Sequence, residues 1–144
     1  MSSSTKAPMW FLIVSIIALL WNLIGLWGFT TSFNLGPEDM ADVPERMRGY
    51  YEAGVPWFYW AAYGLAVIAG VLGCILLLLK RKLATLVFIL SIVGILIFNT
   101  WSFLISDMAE LMITEDYVIQ SLVIGIAILL LFLSKRAERK AWIV

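Results

Sequence analysis

The chain has 144 residues, a hydrophobic fraction of 62%, and ten acidic side chains balanced by ten basic ones. Soluble domains are about half apolar, so this composition excludes an ordinary soluble domain. The sequence has no histidine and a single cysteine, Cys74, which excludes a histidine–cysteine metal centre and a disulfide within the chain.

Four long apolar runs contain no acidic or basic residue. A helix needs about 20 apolar residues to cross a ~30 Å hydrocarbon core, and the runs meet or approach that length. We therefore predict an all-α membrane protein with one domain over residues 1–144, folded as a four-helix antiparallel bundle. The predicted spans are 9–29, 57–79, 83–105 and 117–134.

The charged residues lie between the runs and at their ends, and their sign alternates along the chain. Basic residues cluster at Lys6 with the N-terminal amine, at 80–82 and at 135–140, whereas 30–56 and 106–116 are mainly acidic. By the positive-inside rule, we predict that both termini and the basic turn are cytoplasmic and that the acidic loops lie outside.

Residues 43–53 of the first outer loop are predicted to form a short helix. Asp42 followed by Glu45 is a capping-box pattern, Pro44 suits an early helical position, and Gly54 ends the segment. This helix would lie over the outer mouth of the bundle, either as a lid or as a loop that packs on the bundle rim.

Amides and aromatic rings collect in the outer half of the spans. Asn22 and Asn99 lie at similar depths, and because a buried amide needs hydrogen-bond partners in hydrocarbon, we predict that both face the interior in one polar cluster. Trp21, Trp101 and Tyr63 lie too deep for an interfacial aromatic belt. These side chains either form a ligand pocket or simply pack the bundle. The candidate ligand-binding residues are Trp21, Asn22, Tyr63, Asn99, Trp101 and Gln120.

Span two carries small side chains at every fourth position, which places them on one face of a helix. Such a stripe lets helix backbones approach closely in lipid. We predict that it packs against a neighbouring helix of this chain or of a second copy. Its members are Ala62, Ala66, Gly70 and Cys74.

The sequence contains no residue pattern for catalysis. The serines and threonines have no histidine to act as a base. The spans hold no charged group of the kind that proton relays and charged-substrate pathways use. We therefore predict that the protein is not an enzyme and has no catalytic residues, metal, cofactor or nucleic-acid partner.

Several different short motifs are spread along most of the chain. They are Leu19-Leu20-Trp21-Asn22-Leu23, Leu72-Gly73-Cys74 before the basic turn, Phe98-Asn99 with Ser102-Phe103, and a basic tail ending near Trp142-Ile143. In these motifs the chain resembles a group of small four-helix inner-membrane proteins of Gram-negative bacteria, some of which are labelled sugar transporters. The resemblance implies a multi-pass protein of the bacterial inner membrane and makes sugar transport a candidate activity.

Two functions remain open from the sequence. The first is a non-catalytic binding or accessory subunit with an outward-facing pocket for an uncharged or amphipathic ligand. That pocket would lie between spans one, two and three, under residues 43–53, with no continuous pore. The second is a small oligomeric facilitative transporter of an uncharged solute such as a sugar. The expected partners are the lipid bilayer and either further copies of the chain or a larger membrane complex.

Overall fold

The fold is described by a computed structural model that covers residues 5–144. The N-terminal amine, which we counted with Lys6 as a basic cluster, lies outside the described residues. Within residues 5–144 the chain forms helices and short connections and no strand. In chain order the α-helices are α1 (Met9–Phe33), α2 (Glu45–Glu52), α3 (Trp57–Leu78), α4 (Leu83–Thr100), α5 (Met108–Leu111) and α6 (Thr114–Arg139). A 3₁₀ helix (Pro37–Asp42) precedes α2, and a π-helical turn (Trp101–Ile105) continues α4.

Four helices are long and apolar enough to cross a membrane: α1, α3, α4 with its π-helical turn, and α6. The prediction of an all-α chain with four such helices is confirmed. The largest difference in bounds is at α6, which runs from Thr114 to Arg139 instead of 117–134. It continues past the charge-free run because lysine, arginine, glutamate and alanine are good helix formers, and Lys135 and Arg136 remain exposed.

Prolines set the first residue of α1, α2 and α3. Pro8, Pro44 and Pro56 each stand immediately before the helix with ψ of 153°, 134° and 148°, since proline fixes φ and lacks the N–H that an interior position needs. In the predicted segment 43–53, α2 therefore starts only after Pro44. The predicted capping box was wrong, because no described side chain caps α2 and Asp42 instead ends the 3₁₀ helix.

The backbones of α3 and α4 approach each other closely at Gly94. A Cβ placed on this glycine would lie 2.6 Å from the carbonyl oxygen of Ala62 and 2.8 Å from the nitrogen of Ala66. Beside this crossing, the Ser91 hydroxyl donates a hydrogen bond of 2.7 Å to the carbonyl oxygen of Ala66. The small-residue stripe of α3 is buried along its length, at Ala62, Ala66, Gly70 and Cys74.

The four long helices form an open arc, in which each packs against the one before it in the chain. Close contacts join α1 to α3, α3 to α4, and α4 to α6. Within residues 5–144, α1 and α6 are not close neighbours along their length. The backbones of the first and last spans are therefore separated, although their side chains share a buried cluster toward the basic end that includes Phe11 and Leu130. We call the separation in the acidic half the gap.

The bundle has a basic end, where the chain after α6 crosses the turn between α3 and α4. We call residues 140–144 the returning segment. Ala141 has a φ of +56°, a left-handed conformation that stops α6 and reverses the chain. The Val144 N–H then donates to the Lys80 carbonyl oxygen at 2.9 Å, and the Lys82 N–H donates to the Val144 carbonyl oxygen at 3.1 Å. These bonds hold the returning segment across the helix ends.

The side chains of the returning segment fill the basic end of the bundle. Trp142 is 9% exposed and Ile143 is 0% exposed. The Trp142 ring centre lies 5.5 Å from the rings of both Trp10 and Phe11. Phe11, Trp142 and Ile143 belong to one buried apolar cluster that also includes Leu77 of α3.

The opposite end, which we call the acidic end, carries α2, the 3₁₀ helix and α5. Arg46 of α2 forms a salt bridge with Asp116 of α6, with a distance of 3.0 Å between Nη2 and Oδ2. Arg48 donates to the carbonyl oxygens of Val43 and Ala41 at 3.0 Å and 3.1 Å, which holds the turn before α2 in place. Since Arg46 ties α2 to α6, the connection between α1 and α3 is anchored to the last span.

Candidate functional site

A cavity of about 250 Å³ lies inside the arc, on the side of the acidic end. All four long helices contribute to its walls, so it is not confined to the first three spans as predicted. The walls are mainly aliphatic and aromatic. Among residues 5–144, no acidic or basic side chain lines this cavity. Four of the candidate residues do line it: Trp21, Asn22, Tyr63 and Gln120.

Asn22 is held against the small-residue stripe of α3. Its Nδ2 donates to the Ala18 carbonyl oxygen at 2.8 Å and to the sulfur of Cys74 at 3.6 Å. Its Oδ1 occupies the space where a side chain at Gly70 would begin. The close approach of α1 to α3 at this level therefore depends on the glycine, which leaves room for the amide.

Gln120 of α6 lines the same cavity as Asn22 and carries an unsatisfied oxygen. The Oε1 atom is buried and has no hydrogen-bond partner among the described residues. An amide oxygen left without a donor in a low-dielectric interior costs free energy. Gln120 is therefore the wall residue with the clearest need for a hydrogen-bond donor from a ligand.

Tyr63 is fixed by aromatic neighbours at the acidic-end side of the cavity. Its ring centre lies 5.1 Å from that of Phe29 and 5.2 Å from that of Phe98. A Cβ on Gly28 would come within 3.7 Å of the Tyr63 hydroxyl oxygen, so the phenol points toward α1. Its ring and hydroxyl give this part of the wall both an apolar face and a polar atom.

The other two candidate residues, Asn99 and Trp101, lie outside the cavity. Asn99 is 7% exposed and its Nδ2 donates to the Ile95 carbonyl oxygen at 2.9 Å. Trp101 packs instead on Tyr59, with 5.1 Å between ring centres. The expected cluster of Asn22 with Asn99 does not form, because each amide donates to the carbonyl four residues earlier in its own helix.

A second cavity, of about 380 Å³, lies beneath α2. We call it the vestibule. It shares four wall residues with the first cavity, so the two spaces adjoin: Tyr63, Phe98, Ile119 and Gln120. From above, the vestibule is covered by side chains of the segment predicted as a roof, including Val43, Met47 and Tyr51.

The charged groups of the site are confined to the vestibule. Its walls include the carboxylates of Asp42 and Asp116 and the guanidinium of Arg46. Burial raises the pKa of the Tyr51 hydroxyl above its ordinary value, so this phenol stays neutral at physiological pH. Two carboxylates against one guanidinium leave the vestibule with an excess of negative charge.

Sequence reasoning missed several residues that shape the cavity. Gly25 and Gly28 of α1 line it, as do Ser91 of α4 and an apolar face of α6 that includes Val123 and Ala127. The sequence could have indicated Ser91 as a cavity residue, because it is the polar residue nearest the middle of its span. The α6 face gave no such indication beyond Gln120, since residues 122–133 of that helix are apolar on all sides.

The site has the composition of a binding pocket. Amide groups and aromatic rings converge in an apolar space, the usual make-up of a pocket that orients a ligand through a few polar contacts. Comparison with known proteins found no matching family model, no matching curated protein and no matching solved structure. The resemblance to small inner-membrane proteins stays a prediction.

Proposed function

We propose that this protein is a non-catalytic binding or accessory subunit of the bacterial inner membrane that binds an uncharged or amphipathic ligand in its cavity. The cavity itself carries the proposal, since Asn22, Tyr63 and Gln120 present polar atoms in an otherwise apolar space without a charged side chain. An ion bound there would have no counter-charge. An uncharged ligand would pack on the rings and hydrogen-bond to the amides.

The closed basic end supports binding rather than passage of a solute. Between the cavity and that end lies a cluster of fully or nearly fully buried side chains, including Phe88, Cys74 and Leu77. The returning segment adds Trp142 and Ile143 to the same cluster. A solute would have to displace these packed side chains to cross the chain, so a single copy offers no open route.

The binding test uses the uncharged fluorophore N-phenyl-1-naphthylamine with protein held in amphipol. We expect a saturable rise in fluorescence with the natural sequence. Val123→Trp, which fills the cavity from α6, should abolish the rise. Leu122→Trp is the matched control, because Leu122 is 47% exposed on the same helix and does not line the cavity. An absence of saturable binding would contradict the proposal.

The same preparation distinguishes binding from transport. Liposomes that contain the protein should equilibrate a neutral sugar no faster than empty liposomes. Faster equilibration that Val123→Trp abolishes and Leu122→Trp preserves would replace the binding function with facilitated transport.

The proposed orientation places the basic end in the cytoplasm, following the distribution of lysine and arginine. Alkaline phosphatase, which is active only outside the cytoplasm, should be inactive when fused after Val144. It should be active when fused after Gly54, in the connection between α1 and α3. The reverse pattern would show that the protein is inserted in the opposite orientation.

A further inference from the structure

The cavity opens sideways, through the gap between α1 and α6. Both helices line it, and their backbones are not in close contact along their length. Two of its wall residues are strongly exposed on either side of the gap, Ile24 of α1 at 67% and Ile119 of α6 at 53%. Because both helices are membrane spans, these exposed side chains face lipid. The opening is therefore reached from the hydrocarbon of the bilayer.

The depth of the cavity matches one leaflet of a bilayer. Along α6 its wall extends from Ile119 to Leu130, a distance of about 16 Å at ~1.5 Å per residue. Half of a ~30 Å hydrocarbon core is about 15 Å. The floor is formed by Phe88 and Leu130, which are 2% and 5% exposed. A chain that entered beside α6 would reach this floor past the midpoint of the apolar run 117–134.

The vestibule lies where the polar head of such a molecule would be. Gln120 borders both spaces, and its buried Oε1 lacks a donor among the described residues. Asp42 forms no salt bridge within residues 5–144, whereas Asp116 is paired with Arg46. An ammonium group is a donor that suits either acceptor, the free carboxylate or the amide oxygen. The guanidinium of Arg46 has five N–H donors, so it retains donors for a phosphate beside Asp116.

We propose that the cavity and vestibule together bind one zwitterionic aminophospholipid from the leaflet at the acidic end. An acyl chain enters through the gap between α1 and α6, and the headgroup occupies the vestibule. This inference rests on the proposed binding function and specifies the ligand. The excess negative charge of the vestibule disfavours a headgroup that carries only a phosphate charge.

The test reconstitutes the protein in nanodiscs with equal amounts of phosphatidylethanolamine and phosphatidylglycerol, followed by gentle extraction and native mass spectrometry. We expect one phosphatidylethanolamine per chain to be retained in preference to phosphatidylglycerol. Val123→Trp and the milder Ala127→Leu should both lose the bound lipid, and Leu122→Trp should keep it. Asp42→Asn should keep a lipid but bring the two headgroups toward equal occupancy.

Three results would overturn the inference: no retained lipid, equal or greater retention of phosphatidylglycerol by the natural sequence, or unchanged retention in both cavity-filling variants. Thermal unfolding of each variant in detergent separates lost binding from lost folding, and Ala127→Leu adds few atoms. Saturable binding of N-phenyl-1-naphthylamine without lipid retention would refute the lipid inference alone. Failure of both measurements would refute the binding function as well.

Discussion

Substituting alanine for Gly94 is expected to destabilise the folded bundle by about 1–3 kcal/mol, the usual cost of adding atoms to a packed interior. The new Cβ would lie 2.6 Å from the Ala62 carbonyl oxygen and 2.8 Å from the Ala66 nitrogen. These are backbone atoms, which cannot rotate away as a flexible side chain does. Helices α3 and α4 would have to separate, which would also stretch the 2.7 Å hydrogen bond from Ser91. The free energy of unfolding can be measured by titrating mixed micelles with a denaturing detergent.

The matched control is Gly125→Ala, the same substitution in α6. A Cβ at Gly125 has no neighbouring atom within 4 Å, so no clash is expected. Alanine should instead stabilise the helix by about 0.5–1 kcal/mol, because glycine loses more conformational entropy on folding. If Gly94→Ala and Gly125→Ala unfold at the same detergent fraction, the close crossing of α3 and α4 is contradicted.

Removing the ring of Trp142 should cost about 3–5 kcal/mol, the range for truncating a buried tryptophan. Trp142 is 9% exposed and lies 5.5 Å from the rings of Trp10 and Phe11. Its loss would leave a void at the basic end and weaken the attachment of the returning segment. Trp142→Ala should therefore lower the free energy of unfolding and expose the turn between α3 and α4 to proteolysis.

Trp57→Ala provides the comparison for this second prediction. Trp57 is 80% exposed at the start of α3, so its truncation removes few contacts within the protein. We expect a change well below that of Trp142→Ala. Equal losses in the two variants would mean that the returning segment contributes little to stability and that tryptophans at either membrane surface act alike.

The positions of the long helices could be predicted because a bilayer selects for length and for the absence of charge. The expected span 57–79 and the observed α3, Trp57–Leu78, differ at a single residue. The connection between α1 and α3 was harder, because the effect of Pro44 on the start of α2 competed with the capping pattern of Asp42 and Glu45. The capping pattern and the proline thus favoured different starts for α2, and the helix begins directly after Pro44.

The rotation of each helix about its axis could not be predicted from the sequence. A span that is apolar all round has no amphipathic stripe to indicate its buried face. Depth alone therefore grouped Asn22 with Asn99, although only Asn22 lines the cavity. The contact of Asn22 with Gly70 and Cys74 depends on how α1 and α3 are turned toward each other. The burial of Trp142 could not be predicted for another reason. Two apolar residues after a basic stretch are too few to show the hydrophobic periodicity of a buried helix face.

The open arc has a consequence for how the protein folds in the membrane. Each long helix packs on the one that precedes it, so every helix can dock as soon as it enters the bilayer, without waiting for a later one. Such sequence-local contacts favour rapid folding. The backbone hydrogen bonds that join distant parts of the arc come after α6, where the Thr5 N–H donates to the Ala141 carbonyl oxygen at 2.7 Å and Val144 bonds to the turn between α3 and α4. Assembly of the helices and locking of the bundle are thus separate events, and the second is left to a few residues beyond the last span.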